Sequence, residues 1–371
     1  MYILLTSARK NVGDFLIRDR SIKLLKYYKP HERFKELNSW EPLENHLAVL
    51  NSSKGIIICG GPGYSPYIYP YIYPLVKDLN SVKVPIYILG GGWFGSSADD
   101  TILNNYKFTT ESRQLLDKVA GNNGLSVRDT LSQKVLNQNG YNNTILTGCP
   151  VLYNIKHLGT NFTPPSKISK IVFTTPQNSI YYDQSIAIIK LIKILFPSAS
   201  LYCSFHRGIN SDKYTSERES RGLTYIKEEA ERLGYQIIDA AYDLKKIDFY
   251  SSCDLHIGYR VHAHLYFISE HKPTFLLHED GRGNGFTELL SFGGVDAYQI
   301  NSLTRIINMD DNFRLPKDKI IKTAKPTSQI SQELSNLIEG EFNSNFHNTS
   351  TIFTKVDYYH NSMRDFIYSI E

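Results

Sequence analysis

Residues 253–286, CDLHIGYRVHAHLYFISEHKPTFLLHEDGRGNGF, carry the pattern from which the fold of this 371-residue chain can be predicted. The run CDLHIG has the length of a buried strand, VHAHLYFISEH is typical of a covered helix, and TFLLHE is a second strand. A strand, a helix and a strand in this order indicate a βαβ unit with parallel strands. The same stretch concentrates histidines and two arginines, which raises the question of why titratable cations gather there.

Similar strand-length runs recur along the chain between polar segments of helical character. They are YILLT, GIIICGG, PIYILGGG, GLSVRD and NTILTGCP, followed by KIVFTT, SLYCSF, YQIIDA, CDLHIGY and TFLLHE. Helices are predicted for GDFLIRDRSIKLLKYY, TLSQKVLNQNG, DQSIAIIKLIKILF and TYIKEEAERLG. Continuous apolar strands separated by crossover helices are typical of parallel sheets covered on both faces. The pattern therefore predicts an α/β fold.

The length of the chain favours two domains, because a single hydrophobic core usually stops growing at about 250–300 residues. The alternation is interrupted at residues 153–170, where polar residues, a glycine and a Pro-Pro pair occur together. We therefore expect an N-terminal α/β domain at residues 1–155, a second at 156–320 and a helical extension at 321–371. In the last part, RLPKDKIIKTAKPTSQ and HNTSTIF are interpreted as loops, and ISQELSNLIEGEF and VDYYHNSMRDFIYSIE as helices.

Composition and charge argue against several classes of protein. The formal net charge is +4 and no block of like charge occurs, so nucleic-acid binding is not expected. The first apolar run is too short for a signal-peptide core, and no run reaches the length of a membrane span. The four cysteines lie apart, in or beside apolar runs, as reduced and buried thiols do. These features favour a cytoplasmic protein without structural zinc.

The segment SPYIYPYIYPL, residues 65–75, repeats Tyr-Ile-Tyr-Pro in tandem. Proline excludes a central strand and a long helix, so we expect a loop or a broken helix that presents tyrosines. Two interpretations remain open: a surface segment that packs on itself, or a loop that stacks on sugars or binds a partner.

The residues that follow each predicted strand are the candidates for ligand binding, because ligands of open parallel sheets bind beyond the carboxyl ends of the strands. Glycines at such turns let a ligand or a facing domain approach the backbone. These turns carry neither the G-x-G-x-x-G nor the P-loop spacing, which argues against a dinucleotide fold of the usual kind. The cleft residues selected on this ground are Asn11, Gly13, Asp14, Gly61, Gly91, Gly92 and Trp93.

Two further strand ends carry reactive side chains. In SVRD, Arg128 and Asp129 form either a structural ion pair that caps the next helix or a pair whose arginine reaches the cleft. In GCP, Cys149 has no nearby base in the sequence, so a tight strand exit is a better interpretation than a nucleophile.

The turn between CDLHIG and the following helix predicts an anion site. Gly258 and Arg260 lie at the strand exit, and His262 lies in the first helical turn. Arginine offers forked donors to carboxylate or phosphate, the helix N-terminus adds backbone N–H groups, and histidine can donate a hydrogen bond or a proton. Three other histidines are expected to be core or surface residues, without the spacing of a metal site: His256, His264 and His271.

Taken in order, these motifs resemble those of the polysaccharide pyruvyl transferase family. The resemblance rests on NVGDFLI, CGGPGY, LGGGW, SVRDTLS, TGCPVL and above all GYRVHAHLYFISEHKP, and it covers about residues 10–290. It implies a glycosyltransferase-B-like fold, in which two Rossmann-like domains with parallel sheets face each other across a cleft, here with C-terminal helices. It also implies transfer of the enolpyruvyl group of phosphoenolpyruvate to a surface-polysaccharide sugar, as a pyruvyl ketal, without a further cofactor or a metal.

The resemblance assigns the donor to the C-terminal domain. Arg260 and His262 match the Arg-x-His of the family's donor site, and a doubly anionic donor needs a second cation. Arg207 in SFHRG is the candidate for that cation, with His206 as its competitor.

One segment departs from the family's pattern. After the strand TFLLH the chain reads HEDGRG, where Arg282 takes the place of a lysine and Glu279 is a further cleft candidate. This departure leaves the details of donor and acceptor binding open. Asp14 and His262, from opposite domains, are the candidates for acid and base, with the two roles not assigned.

The remaining expectations concern partners and rival functions. The resemblance implies a saccharide acceptor on the N-terminal domain, either free or lipid-linked, and a cytoplasmic protein for which a peripheral contact with the inner face of the membrane stays open. No nucleic acid is expected, and the oligomeric state is open. Two rival functions remain: a nucleotide-sugar-dependent glycosyltransferase of the same fold, and a non-catalytic saccharide-binding protein.

Overall fold

Two parallel sheets form the centre of the computed structural model, which describes residues 1–95, 103–306 and 320–371. The N-terminal sheet has the strand order β2-β1-β3-β4. Its strands are β1 (Tyr2–Thr6), β2 (Phe34–Asn38), β3 (Ile56–Cys59) and β4 (Ile86–Leu89). A parallel pair, β5 (Leu125–Val127) and β6 (Thr144–Leu146), continues beside β4 through a bridge between Gly91 and Val127.

Three of the four helices described in this half, all except α2, begin on a side chain that caps them. They are α1 (Val12–Tyr28), α2 (Leu47–Asn51), α3 (Thr110–Asn123) and α4 (Thr130–Gln138). Asn11, Thr109 and Asp129 precede α1, α3 and α4, and each side chain accepts a hydrogen bond from a backbone N–H of the first turn. Such caps satisfy donors that the helix itself leaves open, so the helix starts are well defined.

The second sheet has the strand order β12-β11-β10-β7-β8-β9. Its strands are β7 (Lys170–Thr174), β8 (Ser200–Phe205), β9 (Gln236–Asp239), β10 (Leu255–Gly258), β11 (Thr274–His278) and β12 (Gly294–Asp296). The helices that accompany them are α5 (Tyr182–Leu195), α6 (Glu217–Arg232), α7 (Val261–Ser269) and α8 (Gly281–Leu290). The stretch 253–286 thus forms the unit β10-α7-β11, as the sequence predicts.

Both sheets have a topological switch point, where the strand order reverses. In the N-terminal sheet the chain passes from β1 to β2 on one side and then to β3 on the other. In the second sheet the chain passes from β7 to β8 and β9, and then to β10 on the opposite side. The loops beyond β1 and β3, and beyond β7 and β10, therefore diverge and leave the crevices in which ligands bind.

The C-terminal part joins the two halves. An antiparallel pair, β13 (Tyr298–Ile306) and β14 (Ile320–Pro326), precedes α9 (Ile330–Asn343) and α10 (His347–Ser369). Val356 and Met363 of α10 are buried in the same apolar cluster as Leu24 of α1. The hydroxyl of Tyr28 lies 2.7 Å from Nε2 of His360. The last helix therefore packs against the first one.

The secondary-structure predictions are confirmed for the apolar runs and wrong for two segments interpreted as loops. All ten strand-length runs are strands, and all four predicted helices are helices. The loop interpretation of HNTSTIF is wrong, because these residues begin α10, where Ile352 and Phe353 are buried. The loop interpretation of RLPKDKIIKTAKPTSQ is wrong for Ile320–Pro326, which is a strand, while residues 314–319 lie outside the described residues.

Other expectations from composition have mixed outcomes. All four cysteines are buried free thiols, as predicted. Among the described residues, no helix has the length and apolar character needed to cross a membrane, and no group of three or more potential ligands has the geometry to hold a metal ion. The division of the chain at residues 155 and 320 stays a prediction.

Candidate active site

Two helix N-termini meet where the sheets face each other. The backbone N–H of Val12, at the start of α1, donates a hydrogen bond to the carbonyl of His206 beyond β8, at 3.0 Å. A Cβ atom built on Gly13 would lie 2.8 Å from Nδ1 of His262, at the start of α7. The imidazole thus packs directly on the Gly13 backbone, and a larger residue would collide with it. The fold therefore brings the motif around Asp14 and the motif around His262 together.

Asp14 lies in the first turn of α1 and is half-buried. Nδ2 of Asn11 donates a hydrogen bond to its Oδ1 at 3.2 Å. Burial raises the pKa of Asp14 to about 6, although Arg282 and Arg207 act in the opposite direction. A carboxylate with a pKa near the working pH is well suited to accept a proton from a hydroxyl.

His262 is buried, and its Nε2 has no hydrogen-bond partner among the described residues. Burial lowers its pKa well below the ordinary value, and the positive charges of Arg128 and Arg282 lower it further. The imidazole is therefore neutral in the free protein. An anion bound nearby would raise this pKa, so ligand binding and proton uptake are coupled at this residue.

Arg260 forms the floor of a narrow pocket beyond β7 and β10. Its Nε donates to the carbonyl of Thr175 at 2.7 Å, and its Nη2 donates to the carbonyl of Pro176 at 3.0 Å. These bonds fix the guanidinium against the loop that follows β7. The other pocket residues include Gln177, Tyr182, Arg207, Thr215 and Glu219.

Two guanidinium groups, those of Arg260 and Arg207, line the pocket together with the carboxylate of Glu219. Burial lowers the pKa of Arg260 to about 10, with Glu279 opposing this effect and Arg207 and Arg282 adding to it. Guanidinium groups of like charge therefore gather around a common space. A ligand with carboxylate or phosphate oxygens would relieve their repulsion and accept charge-assisted hydrogen bonds.

The structure distinguishes the two candidates for the second cation. Arg207 lines the pocket and donates from Nη2 to the carbonyl of Tyr214 at 2.9 Å. His206 is buried instead in the interior, where its Nε2 lies 2.9 Å from the hydroxyl of Tyr250. Arg207 is therefore available to a ligand, whereas His206 serves the packing between the halves.

Arg282 and Glu279 take part in a charged network at the start of α8. Arg282 makes a bidentate contact with Asp280, with Nε to Oδ1 at 2.8 Å and Nη2 to Oδ2 at 2.5 Å. Glu279 accepts hydrogen bonds from the N–H groups of Gln177 and Asn178 at 2.8 and 3.2 Å. The charge of Arg282 is thus already paired, and Glu279 shapes the loop on which Arg260 rests.

The selected glycines divide into packing positions and one that borders a cavity. A Cβ atom on Gly258, whose φ is +148°, would lie 2.5 Å from the carbonyl oxygen of Thr174. Cβ atoms on Gly91 and Gly92 would collide with Tyr64 and with the Arg128 guanidinium. Gly61 has a φ of +85° and open space around its Cβ position. Of these four glycines, only Gly61 therefore leaves room for a ligand.

The SVRD and GCP motifs have structural roles. Nε of Arg128 lies 3.0 Å from Oδ2 of Asp129, and its Nη2 donates to the carbonyl of the buried Trp93 at 3.2 Å. Oδ1 of Asp129 accepts a hydrogen bond from the N–H of Ser132 and caps α4. Burial raises the pKa of Cys149 to about 11, which suits an inert thiol. The capping interpretation thus accounts for this ion pair.

A larger cavity of about 330 Å³ lies beyond β1, β2 and β3, and Asp14 is part of its wall. Its other walls include Ser7, Arg9, Trp40, Gly61 and Tyr71. The sequence predictions missed Trp40, because it follows β2, a polar edge strand without an apolar run. They also missed three residues of the anion pocket: Gln177 in the loop after β7, and Tyr182 and Glu219, which the folding of α5 and α6 brings to Arg260.

Comparison with protein families identifies residues 11–280 as a match to the family model described as Polysaccharide pyruvyl transferase. This match covers most of the chain and includes both helix N-termini of the site. No curated protein matches the chain.

Two solved structures have the same overall architecture. One is UDP-GlcNAc 2-epimerase from Neisseria meningitidis, with a TM-score of 0.53, 9% identity, and 99% of both chains covered. The other is S. aureus MnaA in a co-structure with UDP, with a TM-score of 0.51, 10% identity, and 97% of this chain and 93% of that chain covered. At this low identity the likeness concerns the fold alone, and it confirms the glycosyltransferase-B-like arrangement of two Rossmann-like units.

Proposed function

We propose that this chain, which belongs to the polysaccharide pyruvyl transferase family, transfers the pyruvyl group of phosphoenolpyruvate to a saccharide as a cyclic ketal. The observation that carries the proposal is the meeting of two helix N-termini, one with Asp14 and the other with Arg260 and His262. In this proposal, the anion pocket on Arg260 and Arg207 holds the donor, and Asp14 and His262, which lie outside its lining, exchange protons with the reacting groups.

The anion pocket suits a donor with both a carboxylate and a phosphate. Arg260 is held by backbone carbonyls, and Arg207 lines the same pocket. The N-terminus of α7 adds backbone N–H groups and the positive end of the helix dipole. Together these groups offset the charge of phosphoenolpyruvate, while Glu279 keeps the pocket loop in place.

In the first step, the donor raises the pKa of His262, which takes up a proton and passes it to the methylene carbon of phosphoenolpyruvate. The electron pair of the double bond forms the new C–H bond, and the central carbon becomes oxocarbenium-like. The oxygen of a sugar hydroxyl attacks this carbon and forms a C–O bond. Asp14, on the acceptor side, accepts the hydroxyl proton, which suits its pKa of about 6.

In the second step, the bond between the central carbon and the phosphate oxygen breaks, and phosphate leaves with the electron pair. A second hydroxyl of the same sugar attacks the carbon and closes the ketal. The two hydroxyls release two protons in total. One of these protons makes up for the proton that His262 gave to the methylene carbon, and the other is carried away by phosphate.

The same proposal includes the setting of the reaction. We infer that the acceptor is a sugar of a surface polysaccharide or of its lipid-linked precursor, and that transfer takes place in the cytoplasm, with or without contact with the inner face of the membrane. No metal or further cofactor has a part in the proposed steps.

A nucleotide-sugar donor is the second candidate. The two structures with this fold were solved with UDP-GlcNAc and with UDP. Their likeness to this chain extends to the fold alone, so these nucleotides are the natural comparison ligands in a test.

The experiment is an assay for two products at once. The purified chain is incubated with phosphoenolpyruvate and oligosaccharides cut from bacterial surface polysaccharides, and free phosphate and the mass of the saccharide are measured. We expect one phosphate for each pyruvyl ketal formed, and loss of both products in His262→Ala and Arg260→Ala. Arg221→Ala, an exposed substitution on α6, is the control and should retain both products. Glycosyl transfer from UDP-GlcNAc without any product from phosphoenolpyruvate would contradict the proposal.

A further inference from the structure

The cavity beside Asp14 is enclosed by loops that are tied to each other. The N–H of Ser39, after β2, donates to the carbonyl of Thr6 at 3.0 Å. The hydroxyls of Ser7 and Ser39 lie 2.8 Å apart. The loops beyond β1 and β2 therefore form one wall, opposite the glycine-rich turn after β3. This is the crevice at the switch point of the N-terminal sheet, where a ligand is expected.

Two aromatic side chains border this cavity. Trp40 is half-buried, whereas Tyr71 is 75% exposed. Tyr71 belongs to a segment whose neighbours Tyr69 and Tyr73 are buried, and the hydroxyl of Tyr69 donates to the carbonyl of Val76 at 2.7 Å. A well-anchored backbone thus holds one tyrosine outward at the rim. Exposed aromatic rings on a fixed backbone are suited to stacking against a flat, partly apolar ligand face.

Arg9 lies at the same rim with its hydrogen-bond donors unused. Its guanidinium carbon is 4.4 Å from the centre of the Trp40 ring. Its side chain makes no hydrogen bond or salt bridge within the part of the chain that the structure describes. Stacking occupies the face of the guanidinium and leaves its N–H edges free. Such edges bind carboxylate or phosphate in a bidentate manner.

We propose that this cavity binds the acceptor as a saccharide with an anionic substituent, with a sugar ring against Trp40 and Tyr71 and the anion on Arg9. A volume of about 330 Å³ is at the lower end for small-molecule pockets and suits a mono- or disaccharide. Asp14 in the wall would then face a sugar hydroxyl. The inference rests on the proposed function, because it names the substrate class of the same site.

The anion can have two sources with the same chemistry. It is either a phosphate on the sugar, as in a glycosyl phosphate or a lipid-linked precursor, or the carboxylate of a uronic acid within a polymer. Both accept two parallel hydrogen bonds from a guanidinium, so Arg9 alone does not distinguish them. Separate probes that carry a phosphate or a carboxylate distinguish the two sources.

Tryptophan fluorescence reports on this cavity directly. The chain has two tryptophans, and Trp93 is buried away from the cavity, so a ligand on Trp40 should change the emission. The probes are the 1-phosphates of glucose, galactose, mannose and N-acetylglucosamine, the uronic acids of the first three, and the methyl glycosides of all four. We expect saturable quenching by the phosphates or by the uronic acids of at least one sugar, with the matched methyl glycoside about tenfold weaker or more.

Variants test the assignment of the residues. Arg9→Gln should remove the preference for the anionic probe, and Trp40→Phe should remove the emission change. Arg33→Gln, an exposed arginine of the same half, is the control and should bind as the wild type does. Equal binding of anionic and methyl glycosides, no response to any probe, or an unchanged preference in Arg9→Gln would each overturn the proposal.

A parallel measurement separates this inference from the proposed function. Phosphoenolpyruvate should raise the melting temperature of the wild type and of Arg9→Gln to the same extent, because Arg9 lies outside the anion pocket. Stabilisation by phosphoenolpyruvate without saccharide quenching would mean that the cavity assignment alone is wrong. Saccharide quenching without stabilisation by phosphoenolpyruvate would mean that the cavity assignment is right and the donor is wrong.

Discussion

The titration of individual side chains determines what the site can do. Asp14 and His262 have pKa values that burial shifts in opposite directions, upward for the carboxyl and downward for the imidazole. Both shifts favour the neutral form, so charging either residue costs free energy in the folded protein. A bound anion among the arginines removes part of this penalty for His262. In the proposed reaction, binding of the donor substrate would therefore prepare His262 to donate its proton.

The shifted pKa of Asp14 predicts how stability depends on pH. The pKa rises from 3.8 in the unfolded chain to about 6 in the folded one, so the stabilisation is complete below pH 3.8 and is lost as the pH rises through about 6. Above this range the ionised carboxylate destabilises the folded state. We expect Asp14→Asn to raise the free energy of unfolding by roughly 1–3 kcal/mol at about pH 8 and to have little effect near pH 4.

Urea unfolding at both pH values measures this difference. Asp248→Asn, at an exposed position, is the control and should behave alike at the two pH values. Equal effects of Asp14→Asn at both values would contradict the burial of this carboxyl.

The order of residues at a strand end was harder to interpret than the strand itself. His206 and Arg207 are adjacent, and the sequence alone left both as candidates for the pocket. Successive side chains leave a strand in opposite directions, so one enters the core and the other the cleft. The position of the strand in the sheet decides which of the two side chains enters the cleft. In the structure Arg207 lines the pocket, and His206 contacts Tyr250 in the interior.

At the scale of elements, the site depends on the close approach of α1 and α7. The apolar runs around it were predictable, because parallel strands buried on both faces require them. Strand β2 was not, since its residues FKELN form a polar edge with little burial. The role of each glycine was also hidden, because the neighbours of its Cβ position are set by tertiary packing.

The contact between the two helices predicts the effect of Gly13→Ala. The added methyl group would lie 2.8 Å from Nδ1 of His262, so the imidazole or the start of α7 must shift. We expect a loss of about 1–3 kcal/mol in the free energy of unfolding and a large loss of activity. Gly121→Ala in α3 meets open space and should instead stabilise the fold by about 0.5–1 kcal/mol. Similar effects of the two substitutions in urea unfolding would argue against the contact.

Two buried histidines, His256 in β10 and His264 in α7, predict sensitivity to acid. His256 lies between the hydroxyls of Thr174 and Thr274, with both contacts at 2.8 Å, and His264 shares Thr274 at 2.9 Å. Burial lowers the pKa of His256 to about 3, below the value of about 6.5 in the unfolded chain. The stability it contributes is complete above pH 6.5 and is lost as the pH falls toward 3, by up to about 1.4 kcal/mol per pH unit.

A substitution of His256 should therefore change the slope of the free energy of unfolding against pH. His256→Asn is expected to be less stable at neutral pH but to lose less stability between about pH 6 and pH 4 than the wild type does. The exposed His31→Asn is the control and should retain the wild-type slope. An unchanged slope in His256→Asn would mean that protonation of this histidine does not cause the loss of stability in acid.

At the scale of the whole molecule, contacts between the two halves fix the distance across the cleft. The family match and the fold of the solved structures agree with the predicted two-unit architecture. Besides the two helix starts, Lys10 beyond β1 reaches the loop after β8, where Nζ lies 2.8 Å from Oδ2 of Asp212 and 2.7 Å from Oγ1 of Thr215. Thr215 also lines the anion pocket, so this bridge links the contact between the halves to that pocket.

The bridge predicts an unequal effect of two lysine substitutions. Lys10 is 4% exposed, so Lys10→Met should remove one charge-assisted hydrogen bond from Asp212 and one hydrogen bond from Thr215, at a cost of about 1–3 kcal/mol in the free energy of unfolding. Lys23 pairs with Asp19 on the surface of α1 and is 67% exposed, so Lys23→Met should cost less than about 0.5 kcal/mol. Urea unfolding of both variants checks this difference, and equal losses would remove the bridge from the account.

The most direct test of the central claim is the thermal unfolding of the wild type, Arg260→Ala and Arg221→Ala, each with and without phosphoenolpyruvate, UDP or UDP-GlcNAc. A ligand that binds only the folded state raises the melting temperature, and each variant is compared with its own unliganded form. We predict that phosphoenolpyruvate stabilises the wild type and Arg221→Ala and has no effect on Arg260→Ala. Stabilisation by a uridine nucleotide alone, or equal stabilisation of Arg260→Ala by phosphoenolpyruvate, would contradict the account.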